Sequence, residues 1–183
     1  GILNTREKIT EGYFLSNYGL DEDSIDFLEN SQVLIAGSAA DYTSLMSYVN
    51  RDLSLAANYQ LVKDRIDIDE YINYQIAQIY SGNTDWPGNN VKYWKPKRAG
   101  SKWRWIIYDT DFGFSLSTSA DHNTLTFALA TDGPSWPNPP WSTLLFRKLI
   151  QNTEFKNQFI DRFNIYIYSI YNPARVNRII DSL

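Results

Sequence analysis

Two acidic loops hold the residues best suited to chemistry. In the first, Asn83-Thr84-Asp85-Trp86-Pro87-Gly88-Asn89-Asn90, Asp85 and Asn90 stand five residues apart in a polar stretch. Proline stiffens that stretch and glycine loosens it, so it reads as a loop. A carboxylate there can accept a proton from a hydroxyl, and an amide oxygen a few residues on can hold a metal ion. In the second, Asp109-Thr110-Asp111-Phe112-Gly113, two carboxylates lie two residues apart. On an extended chain such residues point the same way, an arrangement that suits hard, oxygen-seeking Mg²⁺ or Mn²⁺. Each motif also has a plain structural alternative. Asp85 before Trp86-Pro87-Gly88 can be a turn former, and Asp109 and Asp111 can cap a loop.

The elements around these loops must position them. Residues 91–97 and 102–108 read as two strands joined by the turn Arg98-Ala99-Gly100-Ser101, a hairpin with one acidic loop on either side. In the second strand Trp103, Trp105 and Ile107 share a face and Lys102 and Arg104 the other. Before the first loop, Ile72, Ile76 and Ile79 form one apolar stripe over residues 69–80. Asp67 with Glu70 gives that helix a capping-box-like start, and Ser81-Gly82 ends it. Further upstream, Leu45, Val49 and Leu53 predict a helix from Asp41 to about residue 57, and residues 1–40 read as short irregular or helical pieces. Downstream, residues 115–140 are long for a structureless connection, and such loops are often functional. Helices resume near Ser142, along Phe155, Phe159, Phe163 and Ile167, and after Asn172-Pro173.

Composition narrows the field. A hydrophobic content of 43% with 21% charge over 183 residues is enough to bury one sizeable core. The formal charge of -4 disfavours nucleic acid as the main partner. Cysteine is absent, which removes disulfides and thiolate metal sites, and the single His122 removes histidine-rich cages. No apolar run is long enough to span a membrane. A start at Gly1, without an initiator Met, on an already amphipathic segment reads as a trimmed fragment or mature chain.

The order of the motifs is more specific than any one of them. Protein kinases place a catalytic Asp and a metal-binding Asn five residues apart, then a hairpin, then the tripeptide spelled here by Asp111-Phe112-Gly113. Together with Trp94-Lys95-Pro96-Lys97 and Lys102-Trp103-Arg104-Trp105-Ile106-Ile107-Tyr108, the stretch 83–114 resembles the core of the CotH (spore coat protein H) family of secretory atypical protein kinases. The helix Tyr71-Ile72-Asn73-Tyr74-Gln75-Ile76-Ala77-Gln78 and the tail 144–163 are similar to it too, so the resemblance runs over residues 6–183.

The resemblance implies an α+β, mainly helical fold: a kinase-like C-lobe with a central β-hairpin, residues 1–183 forming one catalytic domain of a longer protein. It implies ATP and Mg²⁺ or Mn²⁺ as cofactors, and transfer to Ser or Thr of exported or spore-coat-type proteins. It further implies a secreted, cell-surface or spore-coat location. Carried over by position, Asp85 corresponds to the catalytic aspartate, Asn90 to a metal ligand, and Asp109 and Asp111 to the D-x-D metal motif. Lys92, Lys95, Lys97, Arg98, Lys102 and Arg104 read first as a solvated hairpin face that could also help hold phosphate. Lys92 and Asn90 are the cofactor-binding candidates.

Departures from the kinase pattern are plain. There is no glycine-rich loop, no P-loop, no evident lysine-glutamate pair on a strand, and no His-Arg before Asp85. The expectation is that an amino-terminal, nucleotide-gripping lobe lies outside this chain. Trp103 and Trp105 are expected in the core, and Trp86, Trp136 and Trp141, in loops, are expected to be exposed. His122 carries no expected role. Two other classes compete. A catalytically inactive binding or structural module would keep the fold alone. A carbohydrate-active protein would set Asp85 and Asp111 across an open groove lined by aromatic rings. The kinase reading requires Asp85, Asn90, Asp109 and Asp111 to converge.

Overall fold

The hairpin between the acidic loops is the middle of a larger sheet. The computed structural model describes residues 7–119 and 121–182, so the amphipathic start at Gly1 lies outside the described residues. In chain order the elements are α1 (Glu11–Tyr18), β1 (Ile25–Glu29), β2 (Val33–Ala36), α2 (Ala40–Val49), α3 (Ala56–Lys63), α4 (Ile68–Ser81), β3 (Lys92–Pro96) and β4 (Arg104–Ile106). Then come α5 (Thr124–Ala128), α6 (Pro140–Leu149), α7 (Thr153–Tyr168) and α8 (Pro173–Asp181). The fold is α+β and mainly helical, as the sequence implies.

The predicted hairpin is β3 and β4, with Tyr93 opposite Trp105. It carries β1 on its other side, with Phe27 opposite Trp94 and Glu29 opposite Lys92, and the antiparallel order is β2-β1-β3-β4. Strands β1 and β2 correct the reading of residues 1–40 as irregular or helical. Ile25 to Leu28 are all buried, so β1 shows no alternation, and Val33 and Leu34 on β2 are exposed. Neither strand carries the two-residue period that would announce it.

The pleat divides the sheet's side chains between two apolar clusters. Ile25, Phe27, Trp94 and Ile106 pack against Phe14 of α1. Leu28, Tyr93, Trp103 and Trp105 face the helices, in one cluster with Leu45, Tyr71, Ile72, Phe146 and Phe155. Trp103 and Trp105 are therefore core, as expected. The indole of Trp103 also donates to Asp41 at 2.9 Å, which fixes the start of α2 against the sheet.

Three details differ from the sequence reading. The helix expected from Asp41 to about residue 57 stops at Val49, because Asp52 accepts from the backbone N–H of Ser54 at 3.0 Å and turns the chain. Leu53 is still fully buried beyond that break. The connection 115–140 contains a short helix, α5, whose Asn123 cap accepts from Thr126 N at 2.9 Å. Three of the six basic residues of the hairpin are ion-paired rather than merely solvated: Lys92 pairs with Glu29 at 3.2 Å, Lys95 with Asp41 at 3.0 Å and Arg104 with Asp67 at 3.0 Å, while Lys97 and Arg98 are exposed.

The start of α4 realises half of the capping box. Asp67 accepts from Glu70 N at 3.3 Å, but the Glu70 carboxylate accepts from the backbone N–H of Trp105 at 2.9 Å, tying the helix to β4. Burial pushes the Glu70 carboxyl up to about 7 from its ordinary 4.5; the Trp105 N–H and Arg104 pull it down and Asp67 adds to the rise. Between those two values the folded chain holds a proton that the unfolded chain has lost, so stability falls as pH rises through this window. Glu70→Gln keeps an acceptor for Trp105 and removes the charge. Thermal melts should show the variant matching the parent near pH 4 and more stable than it at pH 8, by about 1–2 kcal/mol after allowance for partial exposure. Equal stability at pH 8 would remove the burial cost assigned to Glu70.

Candidate active site

Asp85 sits where the chain leaves α4, buried to 7% exposure. The side-chain amide of Asn89 donates to both of its carboxylate oxygens at 3.0 Å, and the amide of Asn90 donates to Oδ2 at 2.6 Å. A carboxylate offers about four acceptor positions. These contacts take both positions on Oδ2 and one on Oδ1, which leaves Oδ1 with a position for a further donor such as an alcohol. Asn90 holds this pose with φ of 55°, in the left-handed region that asparagine tolerates better than most residues. With its amide nitrogen turned to Asp85, its carbonyl oxygen is directed elsewhere.

The loop is held by the core. Trp86, expected to be exposed, is 2% exposed and packs edge-on against Tyr74 of α4, because the residue after Asp85 points inward. Trp136 is 55% exposed, as expected of its loop, and Trp141 is 39% exposed although it stands in the first turn of α6 rather than in a loop. The proline-rich segment closes on the same loop. The N–H of Gly88 donates to the carbonyl of Pro137 at 2.7 Å, and a Cβ at Gly88 would lie 2.5 Å from that oxygen and from Cδ of Pro139. Only glycine permits that approach.

The second acidic loop is joined to the first through Asn83, which is fully buried. Its side chain accepts from Asp85 N at 3.2 Å and donates to Gln78 Oε1 at 2.9 Å. The same amide makes a long contact of 3.5 Å to the carbonyl of Asp109. Asp109 itself has φ of 51° and is exposed, and Asp111 is exposed in the turn that Gly113 N closes on Thr110 O at 3.0 Å. Beyond it, Phe114 N donates to the carbonyl of Ser81, the last residue of α4, at 2.6 Å. The hydroxyls of Thr84 and Ser117 lie 2.8 Å apart, a further link between the two loops.

Asp85 and Asn90 are thus in direct contact, and Asp109 is tied to their loop by its backbone. Lys92 is turned to Glu29, whose carboxylate also accepts from the Tyr108 hydroxyl at 3.1 Å; Lys92 lies over the Tyr108 ring at 5.3 Å. Burial, followed by the Glu29 carboxylate, drives the Tyr108 hydroxyl well above its ordinary value. A lysine-glutamate pair on neighbouring strands therefore exists, contrary to the expectation of none. Glu29 was missed because β1 was missed, and only the register opposite Lys92 identifies it. Asn83 and Asn89, which stand in the same motif, were not read as hydrogen-bond partners of Asp85.

Among the described residues, no three His, Cys, Asp or Glu side chains gather into a metal-holding group. The oxygens of Asn90, Asp109 and Asp111 are nevertheless the donor type Mg²⁺ or Mn²⁺ takes when it is bound by one or two carboxylates and by substrate phosphates. The seat of the second loop gives a direct test. A Cβ at Gly113 would fall 2.8 Å from the carbonyl oxygen of Ser81 and 3.0 Å from that of Thr110, both backbone atoms. Gly113→Ala should therefore cost about 1–3 kcal/mol in urea unfolding as the loop is pushed off α4. An unchanged midpoint would show that this loop does not rest on Ser81.

The family model described as CotH kinase protein matches residues 12–183, which takes in all of α1 but Glu11, the sheet, both acidic loops and the carboxy-terminal helices. No curated protein and no solved structure matches the chain. The match covers far more than half of the sequence, and the chain belongs to the CotH kinase family.

Proposed function

We propose that this chain is the catalytic part of a metal-dependent protein kinase that moves the γ-phosphoryl group of ATP to Ser or Thr of exported proteins. The observation that carries the reading is the clamped carboxylate of Asp85, with an acceptor position left open, inside a family match that includes both acidic loops. Asp85 accepts the proton of the acceptor hydroxyl as its oxygen bonds to phosphorus and the bond from phosphorus to the ADP oxygen breaks. Asn89 and Asn90 orient that carboxylate and keep its charge fixed by amide donors.

Asn90, Asp109 and Asp111 are the residues that would hold the cation, and a bound Mg²⁺ or Mn²⁺ would offset charge on the phosphates. Lys92, held in place by Glu29, is the cation of this chain assigned to the nucleotide phosphates. The exported substrate and a secreted, cell-surface or spore-coat location are proposed on the family resemblance alone. No helix among the described residues is long and apolar enough to cross a membrane.

The test is phosphate transfer from labelled ATP to a serine-rich peptide in Mg²⁺ or Mn²⁺, using the longest expressible form of the protein that contains this chain. Asp85→Ala should lower kcat by about 10²–10⁴-fold, the range for loss of a general base. Absence of transfer in the parent, or equal transfer by the variant, would contradict the proposal.

A further inference from the structure

Bordered by Trp86 and Pro87 of the Asp85 loop, the helical core holds a cavity of about 240 Å³. Its walls are aromatic: Tyr42, Tyr71, Tyr74, Trp86, Tyr93 and Trp105. Asn30, Gln32 and Trp141 stand at its edge, where Trp141 reaches solvent. No Asp, Glu, Lys, Arg or His lines it.

One polar atom in this wall is unexplained. Gln75 of α4 is 4% exposed, and its Oε1 has no hydrogen-bond partner. Its side chain also meets the hydroxyl of Tyr71. A buried carbonyl oxygen without a donor costs about 1–3 kcal/mol, so such atoms normally point to a missing partner. The other polar groups nearby are occupied: the Tyr93 hydroxyl donates to Asn30 O and accepts from Gln32 N, both at 3.1 Å. Burial holds the phenols of Tyr42 and Tyr71 well above their ordinary values, so both stay uncharged.

Together these features specify a ligand. With no cationic side chain in the wall, an anion would be desolvated without compensation. Nucleotide phosphates are excluded on the same ground, so this is not a second ATP site. A quaternary ammonium, which aromatic walls can hold, has no N–H to give the Gln75 oxygen. Aromatic walls favour a planar ring. A cavity of about 150 Å³ takes one benzene ring, so about 240 Å³ suits a fused bicyclic one. The orphan oxygen of Gln75 asks for an N–H or O–H on that ring. We propose that this cavity is a binding site for a neutral, planar bicyclic aromatic compound that donates a hydrogen bond to Gln75 Oε1. The ligand would rest on Trp86, the residue that follows Asp85.

Indole and benzofuran separate the claims, since they share shape and differ in N–H against O. Titration of the protein with each, followed by amide NMR shifts, should show saturable binding of indole with shifts centred on Gln75 and Trp86. Benzofuran, which leaves the Gln75 oxygen unpaired, should bind about tenfold more weakly. Gln75→Leu should erase that preference. If the variant does not fold, the comparison on the parent protein still decides. Absence of saturable indole shifts at these residues, or benzofuran binding as tight as indole, would overturn the proposal. Neither probe competes for Asp85, so the outcome is independent of kinase activity.

Discussion

The carboxy-terminal end of α4 is the fixed point on which both acidic loops rest. Ser81 offers its carbonyl to Phe114 N, and Gln78, one turn earlier, offers its side-chain oxygen to Asn83. Helix C-termini leave carbonyl groups without intrahelical partners, and here one of them anchors the residue just past the second loop. Asn83 then distributes the constraint. Its oxygen meets the Asp85 N–H and its amide reaches toward the Asp109 carbonyl. A single buried side chain thus relates the Asp85 loop to the Asp109–Gly113 loop, which lies across a hairpin from it in sequence.

α4 can serve this purpose because it is itself held at both ends. Asp67 caps its first turn while Glu70 reaches across to β4, and Tyr71, Ile72 and Ile76 sit in the main core. Trp86 fastens the loop to the same core from the other side. The cost is a carboxyl group whose ionisation is suppressed by burial at Glu70. The hairpin charges complete the frame: Lys95 and Trp103 converge on Asp41, and Lys92 on Glu29.

Much of this was legible in the sequence because it is local. The apolar period of α4, the Asp67 cap, the stop at Ser81-Gly82 and the Asp85–Asn90 spacing all depend on residues within one or two turns of each other. The metal-type donors at Asp109 and Asp111 were likewise readable as residue types. What stayed hidden depends on partners far along the chain. β1 is a strand because β3 pairs with it, so Glu29 cannot be assigned to Lys92 before that register is known. Trp86 looked like a loop residue and became core only because Tyr74 and its neighbours leave room for it. The Asn89 and Asn90 clamp on Asp85 requires a turn whose left-handed residue no pattern specifies.

The proposed phosphoryl transfer requires Asn90, Asp109 and Asp111 to share one cation. Paramagnetic broadening by Mn²⁺ in the presence of a non-hydrolysable ATP analogue reads that site directly. Amide signals of Asn90, Asp109 and Asp111 should be broadened first as Mn²⁺ is added. The joint change Asp109→Asn with Asp111→Asn should abolish the effect in a chain that still folds. Broadening centred elsewhere, or undiminished in that variant, would contradict the assignment of these loops to a metal-dependent phosphoryl-transfer site.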